Sequence, residues 1–384
     1  MQELVSNYLK CRHLKDKCGS NQLYLGPPGI GKSETVIRAA EIVASELGLK
    51  VWEYENATEP EDYEKTFVLV LFRLDMVKPE DLSGFPLPNK SEGTFDYAVP
   101  RWAKVLRKAK AGLVVLDEFT NVNDDTLLSA AYDIILSEKV NLFYFKKPVI
   151  ALGNPPEHSS LARPLPLPLL NRLAVFKVRE PSIELWHKYM DERYGDSWAK
   201  EVGSFLKAFS QMFLKLPEDV EDLEPFPTPR SWSSLALALF NAYQDLYKAL
   251  KERDEKAKKD LITLVSAYVG REAAHAFVEW AYSDVPPLEE IFKNPKVLLE
   301  MDSKRSLVAI QSLANYSHVR WKSKITKVIN ELIKDPNGAR YVAMILRFMT
   351  PERRKELINY LKTKNRVLLF EIKKNVGGGE LFWS

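Results

Sequence analysis

The sequence predicts an α/β fold with a parallel, doubly wound sheet, followed by a long helical region. Three observations predict it. Short apolar runs alternate with helical patterns between about Leu23 and Val178. A glycine loop in YLGPPGIGKSE (residues 24–34) separates the first of those runs from a helix-forming stretch. Beyond Pro181 nearly every segment has apolar residues at helical spacing. Short strands interleaved with helices favour a parallel sheet covered on both faces. A length of 384 residues suggests two or three domains.

Each element follows in order. QLYL reads as the first strand, and SETVIRAAEIVASELG after the loop reads as a helix ending at Gly48. KVWEYEN (50–56), GLVVLDE (112–118), KPVIALG (147–153) and LAVFKV (173–178) read as four more strands, giving five. NDDTLLSAAYDIILSEK (123–139) is a helix capped by Asn123 or Asp124. FVLVLF (67–72) is the longest kind of apolar run present, far short of the roughly 20 residues a membrane span needs. LKLPEDVEDLEPFPTPR (214–230) is acidic, proline-rich and aperiodic, hence a loop between helices. The expected domains are 1–180 (α/β), 181–283 (helical) and 284–384 (a helical extension with a glycine-rich tail).

Composition narrows the function classes. With 55 basic and 52 acidic residues the net charge is +3, so whole-chain charge makes no case for nucleic acid or an anionic membrane. Cys11 and Cys18 are too few for a disulfide framework and show no metal-type spacing. The five histidines show none either. The N-terminus lacks an apolar signal core, and a cytoplasmic location is expected.

The loop carries the chemistry. Gly26, Gly31, Lys32 and Ser33 fit G-x-x-x-x-G-K-[ST], with Pro27, Pro28, Gly29 and Ile30 between them and Glu34 after. Glycines let such a loop aim backbone N–H groups inward at a phosphate. The following helix turns its positive end to the same place. Lys32 adds a charge for the outer phosphates, and Ser33 offers a hydroxyl to Mg²⁺. An ordinary glycine turn with a surface lysine is the bland alternative.

LVVLDEF (113–119) is the natural partner, because a buried strand ending in two carboxylates needs a reason. Strand ends of this kind face the ligand crevice of an open α/β sheet. Asp117 would serve Mg²⁺, and Glu118 would orient and deprotonate an attacking water. In ALGNPPEH (151–158), Pro155 holds Asn154 extended, so its amide projects past the strand end toward that water. Arg172 precedes the last strand. In PTPRSW (227–232), Thr228 can cap and Pro229 can start a helix, leaving Arg230 in the first turn, where a cation is disfavoured unless an anion is near.

The order of these motifs resembles the AAA+ ATPases, in particular the MoxR-like group and its dynein-related neighbours. The likeness runs through GPPGIGKSE, DLSGFPLPNKSEGTFDYAVPRW, LVVLDEF, ALGNPPEHSSLARPLPLPLLNRL and PTPRSW, about residues 21–240. It implies a five-stranded sheet of order 5-1-4-3-2, an α-helical lid, ATP/ADP with Mg²⁺ as ligands, and ATP hydrolysis. It implies Walker A at Gly26 to Ser33, Walker B at Asp117 and Glu118, sensor 1 at Asn154, an arginine finger at Arg172 and sensor 2 at Arg230. It further implies a helix-2 insert around 81–102, a hexameric ring, and a protein client, often of the von Willebrand factor A-domain class. One departure stands out: the group commonly reads D-E-x-N-R, and this chain reads DEFTN, with Asn121 in the arginine's place. A nucleic-acid motor or loader is the second reading, for which RKAKAG (107–112) is the one basic candidate before the carboxylate pair.

Overall fold

The computed structural model describes residues 1–15, 18–54, 58–159, 162–217, 224–283, 285–286, 288–316 and 320–376. The glycine-rich tail after 376 and part of the 214–230 loop lie outside them. The chain divides into two compact units, Met1–Glu180 and Pro181–Ser384.

The first unit contains ten strands: β1 (Gln22–Leu25), β2 (Lys50–Glu53), β3 (Thr66–Arg73), β4 (Phe85–Asn89), β5 (Thr94–Ala98), β6 (Ala111–Asp117), β7 (Lys139–Val140), β8 (Phe143–Tyr144), β9 (Val149–Gly153) and β10 (Ala174–Lys177). Six of them form one parallel sheet in the order β10-β1-β9-β6-β3-β2. The five expected strands keep their order among themselves. The sixth, β3, lies between β6 and β2, and corrects the expected five-stranded sheet. It is the FVLVLF run. Every residue of it but Leu71 is buried, on one face or the other, and all are apolar, so no apolar–polar alternation marks them as a strand. The strand at 50–53 is the half-exposed edge, the place the expected order gave it.

Side-chain alternation along β6 feeds two cores. Val114 and Leu116 join Leu23, Val68, Val70, Trp102 and Ile134 on one face. Leu113 and Val115 join Val36, Ala40 and Val43 of the Lys32–Glu46 helix on the other, with Val5 and Leu9 of an N-terminal helix, Gln2–Leu14. That helix is pinned at its far end. Arg12 pairs with Glu138, and a disulfide joins Cys11 to Cys18, a single clip rather than a framework. Asn21 then ties three elements together: its amide donates to Ile135 O at 2.7 Å, while its oxygen accepts from Val149 N at 3.0 Å.

β4 and β5 form an antiparallel hairpin off the sheet, with Phe85, Leu87, Phe95 and Tyr97 exposed. It is narrower than the insert expected around 81–102. Leu82 and Trp102 flank it but are buried, and Trp102 donates its indole N–H to Asp81 O and packs edge-on to Phe72 and Phe145. Gly84 permits the base of the hairpin: its φ is +75°, and a Cβ there would lie 2.0 Å from Ala98 O.

The second unit is helical throughout its described residues. Trp186, Trp198, Phe205, Trp232 and Phe277 centre one core. Ile310, Leu313, Ile329, Val342 and Leu357 centre another. No helix among the described residues is long and apolar enough to cross a membrane.

Candidate functional site

The site lies where β1, β6 and β9 end side by side. Backbone bonds hold their exits in register: Gly26 N to Gly153 O at 3.2 Å and Phe119 N to Leu152 O at 2.8 Å. Gly31 closes the loop in the left-handed region (φ +85°) and caps the helix that starts at Lys32. That helix presents its N-terminal amides at the loop, which favours an anion there.

Five of the expected residues come together through hydrogen bonds, three in a chain and two as a pair beside it. Lys32 Nζ donates to Asn154 Oδ1 at 2.8 Å, and to Gly26 O and Pro27 O of its own loop at 2.8 and 2.9 Å. The Asn154 amide donates in turn to Glu118 Oε2 at 3.1 Å. Beside this chain, Ser33 Oγ donates to Asp117 Oδ2 at 2.5 Å. A hydroxyl and a carboxylate in contact are hard oxygen donors of the kind Mg²⁺ takes, so these two residues fit the implied ion.

Glu118 is held by its backbone as well as its partners. It sits at φ +57°, a conformation that costs a non-glycine residue on the order of 1 kcal/mol. The chain turns there off β6. Asp117 Oδ1 accepts from Glu118 N at 2.9 Å, and Asn121 N bonds to Glu118 O at 2.9 Å. Burial, and then the like charge of Asp117, hold the Glu118 carboxyl above the usual range, with Lys32 opposing. One more backbone bond leaves the site: Leu74 N, where β3 exits toward the hairpin, donates to Asp117 O at 3.0 Å.

Two residues of the site carry no role in the sequence reading. Thr120 is buried and exchanges two bonds with the Asn154 backbone: Oγ1 accepts from Asn154 N at 2.8 Å and donates to Asn154 O at 2.9 Å. Asn121, noted only as a departure from a family pattern, donates its amide to Glu118 Oε2 at 2.6 Å. Their position after the carboxylate pair is the only sequence signal they give.

The remaining expected residues are placed separately. Ile30 is buried under the loop, and Glu34 lies in the first turn of the following helix. Arg172 follows the Leu167–Leu170 helix and is exposed. Arg230 belongs to the second unit, exposed in the first turn of the Pro229–Asn241 helix. There Thr228 Oγ1 accepts from Ser231 N at 3.0 Å, and Ser231 Oγ accepts from Thr228 N at 2.8 Å.

Comparison with known proteins adds a distant likeness. No protein-family model matches the chain, and no curated protein does. Solved structures do. One is NtrX from Brucella abortus, at 12% identity and a TM-score of 0.36, over 97% of this chain. The chain spans 66% of that protein's length. Another is the Aeropyrum pernix ORC1 protein in complex with DNA, at 15% identity and a TM-score of 0.38, over 86% of this chain and 81% of that one. A third is a putative ATPase from Cytophaga hutchinsonii, at 12% identity and a TM-score of 0.28, over 97% and 89%. At these identities and scores the likeness assigns no family and no function.

Proposed function

We propose that this protein is an AAA+ ATPase of the MoxR-like kind that hydrolyses ATP with Mg²⁺ and remodels a protein client. The observation that carries the reading is the Lys32–Asn154–Glu118 chain, set beside the Ser33–Asp117 pair at adjoining ends of three parallel strands. A surface loop that merely contained G-x-x-x-x-G-K-S would not bring these five side chains together from three separate stretches.

Each residue then has a task. The backbone amides of the loop and the Lys32 ammonium bind the β- and γ-phosphates. Ser33 and Asp117 would hold Mg²⁺, which supplies positive charge to the phosphate oxygens. Glu118 accepts a proton from the water that attacks the γ-phosphorus, and the amides of Asn154 and Asn121 fix the carboxylate for it. Arg172, exposed, is the group offered to a neighbouring subunit of a ring, and Arg230 senses nucleotide from the lid. The β4–β5 hairpin is the element that meets the client.

Lys32→Ala and Glu118→Gln test the reading together. Lys32→Ala should lose tight binding of a fluorescent ATP analogue, since the charge facing the phosphates is gone. Glu118→Gln should bind ATP as the wild type does yet hydrolyse it at least 100-fold more slowly. Wild-type behaviour in both variants places the chemistry elsewhere.

A further inference from the structure

The charge of this chain is unevenly placed. Residues 285–384 hold 19 Lys and Arg against 10 Asp and Glu, a surplus of nine. The whole chain is at +3, so the first 284 residues are at −6. Within 340–376 there are ten basic residues and three acidic ones. Part of that excess is structural. Arg353 lies over the Trp321 ring at 4.3 Å and donates to Tyr316 O, and Lys322 pairs with Glu356. The rest is displayed. Lys362 and Lys364 end the Pro351–Lys364 helix exposed, and Arg366, Lys373 and Lys374 are exposed on the next one, Arg366–Val376.

That last helix has two distinct faces. Leu368, Leu369 and Ile372 are buried in the core. At 100° per residue, Arg366, Val367, Phe370, Lys373 and Lys374 share an arc of about 120° on the outside. Val367 is 70% exposed and Phe370 69%. A phenyl ring in water, with a cation one turn before it and two more one turn after it, is an unusual use of a surface. From Arg366 to Lys374 the face is about 12 Å long.

We propose that this face, continued by Lys362 and Lys364, binds single-stranded nucleic acid. The cations lie along the phosphates and Phe370 stacks on a base. Charge complementarity favours a polyanion, because the excess is spread over consecutive helices that hold ten basic residues against three acidic ones. The apolar part is too small for a membrane surface: an interfacial helix buries a whole apolar face, and here the outward apolar residues are Val367 and Phe370 alone. A cationic track with an interposed ring is what a single strand fits, since every base has a stacking face and only an unpaired base is free to use it.

The test uses the full-length protein with a labelled 30-nucleotide single strand of mixed sequence, read by fluorescence anisotropy between 50 and 200 mM salt. Binding should weaken with salt, by a slope of about −0.7 in log K per phosphate contacted. Reversing Arg366, Lys373 and Lys374 to Glu should cost at least tenfold at the lowest salt and flatten the slope by about two. Should that triple variant fold poorly, Lys362→Gln with Lys364→Gln, outside that helix, should move both quantities in the same direction. Phe370→Ala should weaken the single strand at least fivefold and leave duplex binding unchanged. All these variants should bind ATP normally, and Lys32→Ala should bind the strand normally, so failure here is distinct from failure of the ATPase reading. The proposal is overturned if the wild type ignores the strand at 50 mM salt, if the charge variants bind it unchanged, or if Phe370→Ala has no effect. Preference for the duplex, or binding to phosphatidylserine vesicles instead of the oligonucleotide, overturns it equally.

Discussion

Thr120 shows how a single hydroxyl can set the residue to which the proposed mechanism gives the water-positioning amide. It satisfies both the N–H and the C=O of Asn154, and both residues are buried. Thr120→Val keeps the shape and strands those two backbone groups. It should cost about 2 kcal/mol in denaturant unfolding and slow hydrolysis, because Asn154 loses its anchor. A second residue-scale effect is independent of the site. Burial pushes the His13 imidazole down from 6.5 to about 4, where it packs edge-on to Phe67 at 5.5 Å. The unfolded chain takes up a proton near pH 6.5 that the folded chain refuses until about pH 4. Stability from this group is therefore present above pH 6.5 and lost as pH falls through that window, on the order of 3 kcal/mol in all. His13→Gln should lack that part of the acid sensitivity. Equal pH dependence of Tm in the two proteins would clear His13 of the role. Lys32, Ser33, Asp117, Glu118 and Asn154 stand out in the sequence because each sits in a short stretch whose chemistry is unusual for its surroundings. Thr120 does not, because a lone threonine after the carboxylate pair carries no signature of its own, and only the fold sets it against the Asn154 backbone.

At the scale of elements, the sequence marks strands by contrast, and contrast fails where both faces are buried. β3 offers no such contrast, while loops and chemically distinct ends mark β1, β6, β9 and β10. The hairpin shows the opposite limit. Its existence was legible, but not its boundary, since Leu82 and Trp102 are apolar residues beside apolar residues and differ from Phe85 and Phe95 only in burial. The structure therefore dictates where to cut. Joining Gly84 to Val99 removes exposed chain at a point where the ends already meet. That variant should melt within a few degrees of the wild type and bind ATP normally, while losing ATP-dependent action on its client. A cut that extends through Trp102 removes a core side chain, worth roughly 3–5 kcal/mol, and should fail to fold. If the short deletion also aggregates, the hairpin is part of the folding core.

At the scale of the whole molecule, the proposed ring predicts a complementation. Arg172→Ala should bind ATP but hydrolyse it poorly, since an arginine offered across an interface is worth about 10³–10⁵ in rate in P-loop enzymes. Glu118→Gln should be nearly inactive as well. Mixed under conditions of subunit exchange, the two should regain activity, peaking near equal amounts. At some interfaces an intact Glu118 then faces an intact Arg172, which only a head-to-tail arrangement allows. If labelled subunits prove exchange and the mixture is no more active than its parts, Arg172 acts within its own chain or not at all. The sequence suggests this arrangement only through a family likeness, because an exposed arginine before a strand has no local signature.

The bond from Leu74 N to Asp117 O ties the end of β3, ten residues ahead of the hairpin's Gly84 base, to the turn that carries both carboxylates. Influence through such a joint runs both ways. If ATP in the loop changes how firmly the hairpin grips a client by tenfold, the client must change the affinity for ATP by the same tenfold, about 1.4 kcal/mol in either direction. A client would thus be felt at the nucleotide without touching it. Titrating the client alone, and watching ATP affinity move, measures the coupling free energy between arm and loop before a single phosphate is cleaved.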